Sequence, residues 1–462
     1  MRSISKAQFD AYCFARHPML RISSSEIAWF EAADRKLLAV IIQDRADRDY
    51  GYVILGRDAK KMFRAIGLCK EFVPTVDEAA ARLTADIAEF VADGQELYPQ
   101  GDERRLPNEI LEPQVPEDKL HPYFVVLARE PRFEAARNLI KEIVYSYTDP
   151  DGHYIREFQT QGFDARLWEL YLYTYFHSAG LELIRGRPSP DFHLSYFGEE
   201  CFVEAVTVNP TQNPAAQVRP PEDHGEVMAL TDDYLPIKFG SALYSKLQKR
   251  YWEKDHVAGK PLIIAIHDFH MPGSMTWSRT ALSEYLYGIR TRLEQRDGRE
   301  VAVSEPIERH VWQSKEIPSN FFELPDAENI SGVLFSNAAT ITKFNRMGKL
   351  AGLGSKEVVM LRHGFAFDPD PSALRPLRFV KNVDDADYEE SWSDSLMLYH
   401  NPRAKHPVDP EWFGDISHMT YDLESGEFRG ISRPFDVLAS TTITLSSHPA
   451  PGAPPPDEIG ES

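Results

Sequence analysis

Two carboxylates stand where sheet-building does not call for them. Asp191 opens the run DFHLSYF and Glu204 sits inside CFVEAVTV, and both runs have the β-branched and aromatic content of strands. A tight turn centred on Phe197-Gly198 sets Asp191 directly opposite Glu204, with Cβ atoms about 5 Å apart, where like charges destabilise the pair; a turn one residue longer would break that register. A divalent cation held between them would offset that repulsion. The competing reading is that two strand-end acids face water, as most charged side chains do. For Glu204 the neighbours Val203, Val206 and Val208 weigh against it, because a carboxylate in an apolar strand is costly unless paired or metal-bound.

The elements that must hold this pair follow from the flanking pattern. Before it, FDARLWELYLYTYFHSA predicts a helix from Phe163 that Gly180 ends as a C′ glycine, with Leu167, Leu170 and Thr174 on one side and Glu169 and Tyr173 on the next. LELIRG follows as a strand. After the pair comes a polar loop, NPTQNPAAQVRPPEDHGE, and then a helix from Gly240 to about Lys254. Leu243, Leu247 and Tyr251 form the packing stripe of that helix, and Lys246, Lys249 and Arg250 form a basic flank, with Lys238 just before it. PLIIAIHDFH is a short apolar run typical of a buried strand. From Phe163 to His270 the predicted order is therefore α-β-β-β-α-β.

This order, with Glu169 on the first helix, Pro190-Asp191 entering the second strand and Glu204 on the third, resembles the PD-(D/E)XK nuclease superfamily over about residues 160–270. The resemblance implies a restriction-endonuclease-like core in which Asp191 and Glu204 coordinate Mg²⁺ or Mn²⁺, the Ala205 carbonyl adds a ligand, and Glu169 assists through water or a second metal. It also implies a lysine two residues after the third-strand acid, where this chain has Val206. Some members supply that ammonium from the following helix, where Lys246 stands; Lys246 borders the packed stripe and can lean over the sheet. Lys249 and Arg250 lie nearer the exposed end, suited to gripping phosphate. The implied activity is hydrolysis of DNA phosphodiesters, which needs an activated water and relief of charge on the leaving oxygen. A catalytically inactive nuclease-fold binding module, or an adaptor of a multi-component bacterial system, is the alternative that Val206 supports.

Composition bounds the setting. The chain has 462 residues and a formal net charge of -20, so any nucleic acid must be met by a local basic groove rather than by the whole surface. Besides DNA, the partners weighed are RNA, a second copy in a homodimer, and a partner protein. Three widely spaced cysteines suit a reducing compartment and exclude a disulfide framework. The first residues lack the apolar region of a secretory signal, and no apolar run is long enough to span a membrane, so a cytoplasmic protein is expected.

Around the core, the expected fold class mixes α/β and α+β. Residues 1–115 are expected as an N-terminal α+β domain with strands at WFEAAD, KLLAVIIQD and YGYVILGRD, a helix at DAKKMFRAIGL, and a second helix opened by a Thr75–Glu78 capping box. Its acids Asp44, Asp47, Asp49 and Asp58 read as a solvated turn before a cation site. A linker rich in Pro and charge precedes a nuclease-like core over 116–275, where YFVVLA predicts a strand and FEAARNLIKEIVYSY a helix. Residues 276–446 are expected as a C-terminal α+β region, with a helix at TALSEYLYGIRTRLEQR and strands at NISGVLFSN, VVMLRHGFAF and HMTYDLESGEFRGI; 447–462 is expected as a disordered tail. Phosphate-loop, dinucleotide, zincin and nucleophile-elbow motifs do not occur. Alternation along a strand puts His267 and His270 on opposite faces, against a metal pair there. His177 reads as packed or capping, and Tyr171, Tyr173 and Tyr175 as packing.

Overall fold

The computed structural model describes all residues except 104–108, 150–151, 185, 187–188, 212–216, 371 and 447–462, which contain the expected tail and parts of the expected linker and polar loop. Its centre is one mixed sheet of eight strands: β1 (Glu182–Ile184), β2 (Phe192–Tyr196), β3 (Glu199–Val208), β4 (Leu262–Asp268), β5 (Gly332–Ser336), β6 (Leu396–His400), β7 (Ser417–Asp422) and β8 (Glu427–Ile431). They lie side by side in chain order. β1, β2 and β3 are antiparallel neighbours, whereas β3, β4 and β5 run parallel. β4 is flanked on both sides and every residue of it is buried, which is why it reads as an apolar run rather than an alternation.

The predicted hairpin register holds. Phe192 pairs with Val203 and His193 with Phe202, around a turn in which Phe197 (φ 50°) and Gly198 (φ 88°) both take the left-handed backbone that a two-residue primed turn needs. One helix covers each face of this part of the sheet. Helix α1 (Phe163–Ala179) packs Leu167 and Leu170 with Leu194, Val203, Ala205 and Ile263, and its Trp168 Nε1 donates to the Ala265 carbonyl at 3.1 Å. Helix α2 (Leu235–Leu247) sets Leu243 and Leu247 against Phe202, Ile264 and Ile266 on the other face. α1 is buried nearly all round, so Tyr171, Tyr173 and Tyr175 are core residues.

At the N-terminus, strands Arg2–Ile4, Ser24–Ala32, Leu37–Asp44, Tyr50–Arg57 and Phe63–Leu68 form an antiparallel sheet in chain order. The helix Val76–Asp93 covers one face, with Thr75 capping Glu78 N at 3.3 Å. The other face joins the main core through Leu38, Val40 and Leu55. Asp44 Oδ1 accepts from the amides of Ala46 and Asp47, so the acid-rich segment there is a self-capped turn.

Several expected elements are corrected. DAKKMFRAIGL is not a helix: Phe63–Leu68 pairs along Tyr50–Arg57, and the open strand edge overrides local helical preference. YFVVLA is not a strand but lies in the helix Pro122–Arg129, started by Pro122 at the first helical position. α2 begins and ends earlier than the expected Gly240–Lys254, giving way to a left-handed Arg250 (φ 48°) and a 3₁₀ turn over Tyr251–Glu253. The expected helix after Ser278 stops at Tyr287, capped by Gly288 (φ 67°). Its second half is the strand Ile289–Arg296, which pairs with Arg299–Pro306 across Asp297-Gly298. The expected division at residue 275 falls within the central sheet, since β5 to β8 continue it. Val358–Ala366, Leu377–Asn382 and Val437–Ser446 form a separate three-stranded sheet.

Candidate active site

β2 is shorter than β3, and that difference makes the site. Pairing stops at Phe192–Val203, so Glu204 and Ala205 have no strand beside them on that edge. Asp191, one residue before β2, fills the gap: its Oδ2 accepts from the Ala205 amide at 2.7 Å. A strand residue turns its own N–H and C=O to the same side, so the Ala205 carbonyl faces the same opening as the amide that Asp191 accepts from. The turn before Asp191 is held from behind, where Lys254 Nζ donates to Ser189 Oγ and His256 Nε2 donates to the Ser189 carbonyl at 3.1 Å.

Glu204 is 4% exposed and points to the α2 side of the sheet. Its Oε1 accepts from Lys246 Nζ at 2.5 Å and from the Tyr251 hydroxyl at 2.6 Å. Its Oε2 is buried without a hydrogen-bond partner. Both donors therefore hold one oxygen and leave the other free. Burial, the hydrogen bond to Glu204 and the nearby Glu204 and Asp191 charges push the Tyr251 hydroxyl well above its ordinary range, so it donates rather than ionises. Val206, two residues after Glu204, packs against the α2-side core.

Glu169 approaches from α1. Arg166 Nη1 donates to its Oε2 at 2.6 Å, while Arg166 Nε donates to Glu157 Oε2 at 2.7 Å. Burial first, and then the carboxylates of Glu204 and Glu169, push Asp191 from 3.8 up to about 8, with the Ala205 amide and Lys246 opposing. Asp191 is itself open to solvent, so water screens part of the burial effect; the upward direction rests on the two neighbouring carboxylates. Burial also raises Glu169, with Arg166 and Lys246 opposing it and Glu157 adding to it.

The four residues expected to carry the chemistry thus come together: Asp191 and Glu204 adjacent, Lys246 bonded to Glu204, and Glu169 within charge–charge reach. Among the described residues no three His, Cys, Asp or Glu side chains converge closely enough to hold a metal ion alone. The Asp191–Glu204 pair leaves the rest of a shell to a carbonyl and water, which is the arrangement Mg²⁺ favours. The orphaned Glu204 Oε2 and the repulsion on Asp191 both fit a cation at this point.

Arg250, expected to grip phosphate, lies half-exposed beyond the end of α2, where Nε donates to Glu253 at 2.7 Å and Nη1 to Asp326 at 2.6 Å. Lys249 is exposed on the surface beside it. Lys238 Nζ donates to the Asn209 carbonyl at 2.7 Å and ties down the loop after β3. His267 Nε2 accepts from Ala339 N at 3.0 Å, and His270 Nδ1 bonds Asp268 at 2.7 Å, so the two do not share a site. His177 Nε2 bonds the Phe14 carbonyl at 3.0 Å as a packed residue. The residue that the sequence left in the packing stripe is Tyr251. Its signal was a hydroxyl in an otherwise aliphatic stripe, because a buried tyrosine needs a partner for that group. Compared with protein-family models, curated proteins and solved structures, the chain finds no match in any of the three.

Proposed function

We propose that the chain is a divalent-cation-dependent nuclease of the PD-(D/E)XK type that hydrolyses DNA phosphodiester bonds. The observation that carries this reading is Glu204: buried, held through Oε1 by Lys246 and Tyr251, and with Oε2 unpartnered beside Asp191. The α-β-β-β-α-β order with strands side by side in chain order supports it. In this reading Asp191, Glu204 Oε2 and the Ala205 carbonyl hold Mg²⁺ or Mn²⁺. Such an ion polarises the attacked phosphoryl group and lowers the pKa of a bound water. Glu169, fixed by Arg166, orients water across the cleft. Lys246 sets positive charge where the phosphorane would be most negative, from α2 rather than from the strand. Lys249, exposed just past the end of α2, is a cation open to a strand of DNA or RNA, in a chain too acidic to attract either by its net charge.

The reading is tested by titrating Mn²⁺ into the purified chain in a calorimeter. Saturable binding that Asp191→Ala and Glu204→Ala each abolish is the expected result; heat that neither substitution changes would refute the site.

One observation favours a second reading, a binding module without catalysis: Lys246 bonds Glu204 directly, and so could neutralise that carboxylate in place of a metal. Absence of Mn²⁺ heat together with retained DNA binding would select it.

A further inference from the structure

The N-terminal sheet packs Leu38, Val40 and Leu55 of its second face into the main core but leaves Ile42 and Val53 only partly covered. Val40, Ile42, Val53 and Leu55 floor a cavity of about 640 Å³ between this sheet, the segment that follows Lys6, and the end of α1. That volume lies within the roughly 300–1,000 Å³ of small-molecule sites. Leu20 and Leu68 at its border are 54% and 66% exposed, so the apolar floor continues to the mouth without a protein cover.

The rim is cationic. Arg16 is answered by Asp10 and Glu26. Arg21 and Arg45 are not: among the described residues neither has a carboxylate within ion-pair distance. Arg21 Nη2 donates to the Ser178 carbonyl at 3.1 Å and Arg45 Nε to Ser25 Oγ at 3.1 Å. Arg21 lies across the end of α1 at Gly180, where an added Cβ would come within 2.3 Å of its Nη1. Two unanswered guanidinium groups on one apolar cavity are a departure in a chain with a net charge of -20. A guanidinium offers paired donors that match a carboxylate.

We propose that this cavity binds an amphipathic monoanion, a medium-chain carboxylate, with its apolar body on the Val40–Val53 floor and its head group at Arg21 and Arg45. The site is separate from the carboxylate cleft and does not depend on cleavage.

The test titrates a dansylated undecanoate into the full-length chain and follows probe fluorescence. Saturable binding is expected, displaced by laurate and not by lauryl alcohol at the same concentration. The double variant Arg21→Ala/Arg45→Ala should bind at least about tenfold more weakly. Leu20→Asp, at an exposed position that does not threaten folding, should weaken it as well by placing a negative charge at the mouth. No saturable binding, equal displacement by the alcohol, or unchanged affinity in both variants would overturn the proposal.

Discussion

At the scale of residues, the site turns on how the two oxygens of Glu204 divide their work. Lys246 and Tyr251 both donate to Oε1, so removing either loosens the carboxylate without removing it. Lys246→Ala should reduce cleavage by about a hundredfold or more, the usual loss when one preorganised stabiliser goes. Circular dichroism of that variant should stay native. Tyr251→Phe should cost about 1–3 kcal/mol of stability, as a hydrogen bond to a buried charge does, read as a lower midpoint in urea. Asp191 gives a pH signature. Its folded-state pKa is raised above 3.8, so the folded chain holds that proton more tightly than the unfolded one, and stability is lost as pH rises from about 4 towards about 8. Asp191→Asn should therefore melt higher than the native chain at about pH 8 without metal, and not at about pH 4. Saturating Mn²⁺ should narrow the gap by stabilising the native carboxylate. Asp191 and Glu204 were legible in the sequence because their strands are unambiguous and a turn centred on Phe197-Gly198 sets them opposite each other, although a turn one residue longer was equally writable from the sequence. Lys246 was legible from its place beside Leu243 and Leu247. Arg250 was misplaced because nothing local marks the end of α2 at Leu247; the left-handed turn there comes with Arg250's pairing to Asp326, a residue remote in sequence.

At the scale of elements, the β2–β3 hairpin sets the site, since a slip of one residue would send Glu204 to the opposite face. Gly198→Val puts a β-branched residue at φ 88°, where such residues are strained. It should destabilise the fold by roughly 1–2 kcal/mol, measured by thermal melting, and weaken Mn²⁺ binding with it. The hairpin and β4 were legible from composition alone. The elements that were not share one cause: their state is decided by a partner elsewhere. Phe63–Leu68 becomes a strand because Tyr50–Arg57 offers an edge, and the short apolar run YFVVLA suits a helix or a strand equally until its surroundings choose. The Asp297-Gly298 turn was a readable hairpin signal, outweighed by the strong helical pattern just before it.

At the scale of the whole molecule, the sheet that carries the site extends well past it. β4 lies between β3 and β5, so a fragment of residues 116–275 would expose one edge of its most apolar strand and lose the cover that β5 gives. Such a fragment should be aggregated or unfolded by circular dichroism, whereas the full chain melts cooperatively. Among the described residues no helix is long and apolar enough to cross a membrane. The central claim, that the Asp191–Glu204 cleft hydrolyses phosphodiesters with a divalent cation, is met most directly by incubating the full chain with supercoiled plasmid and Mn²⁺. Nicked and linear product is expected, and EDTA, Ca²⁺ in place of Mn²⁺, Asp191→Ala and Glu204→Ala should each prevent it; intact plasmid with the native chain, or nicking that survives both substitutions, would rule the cleft out.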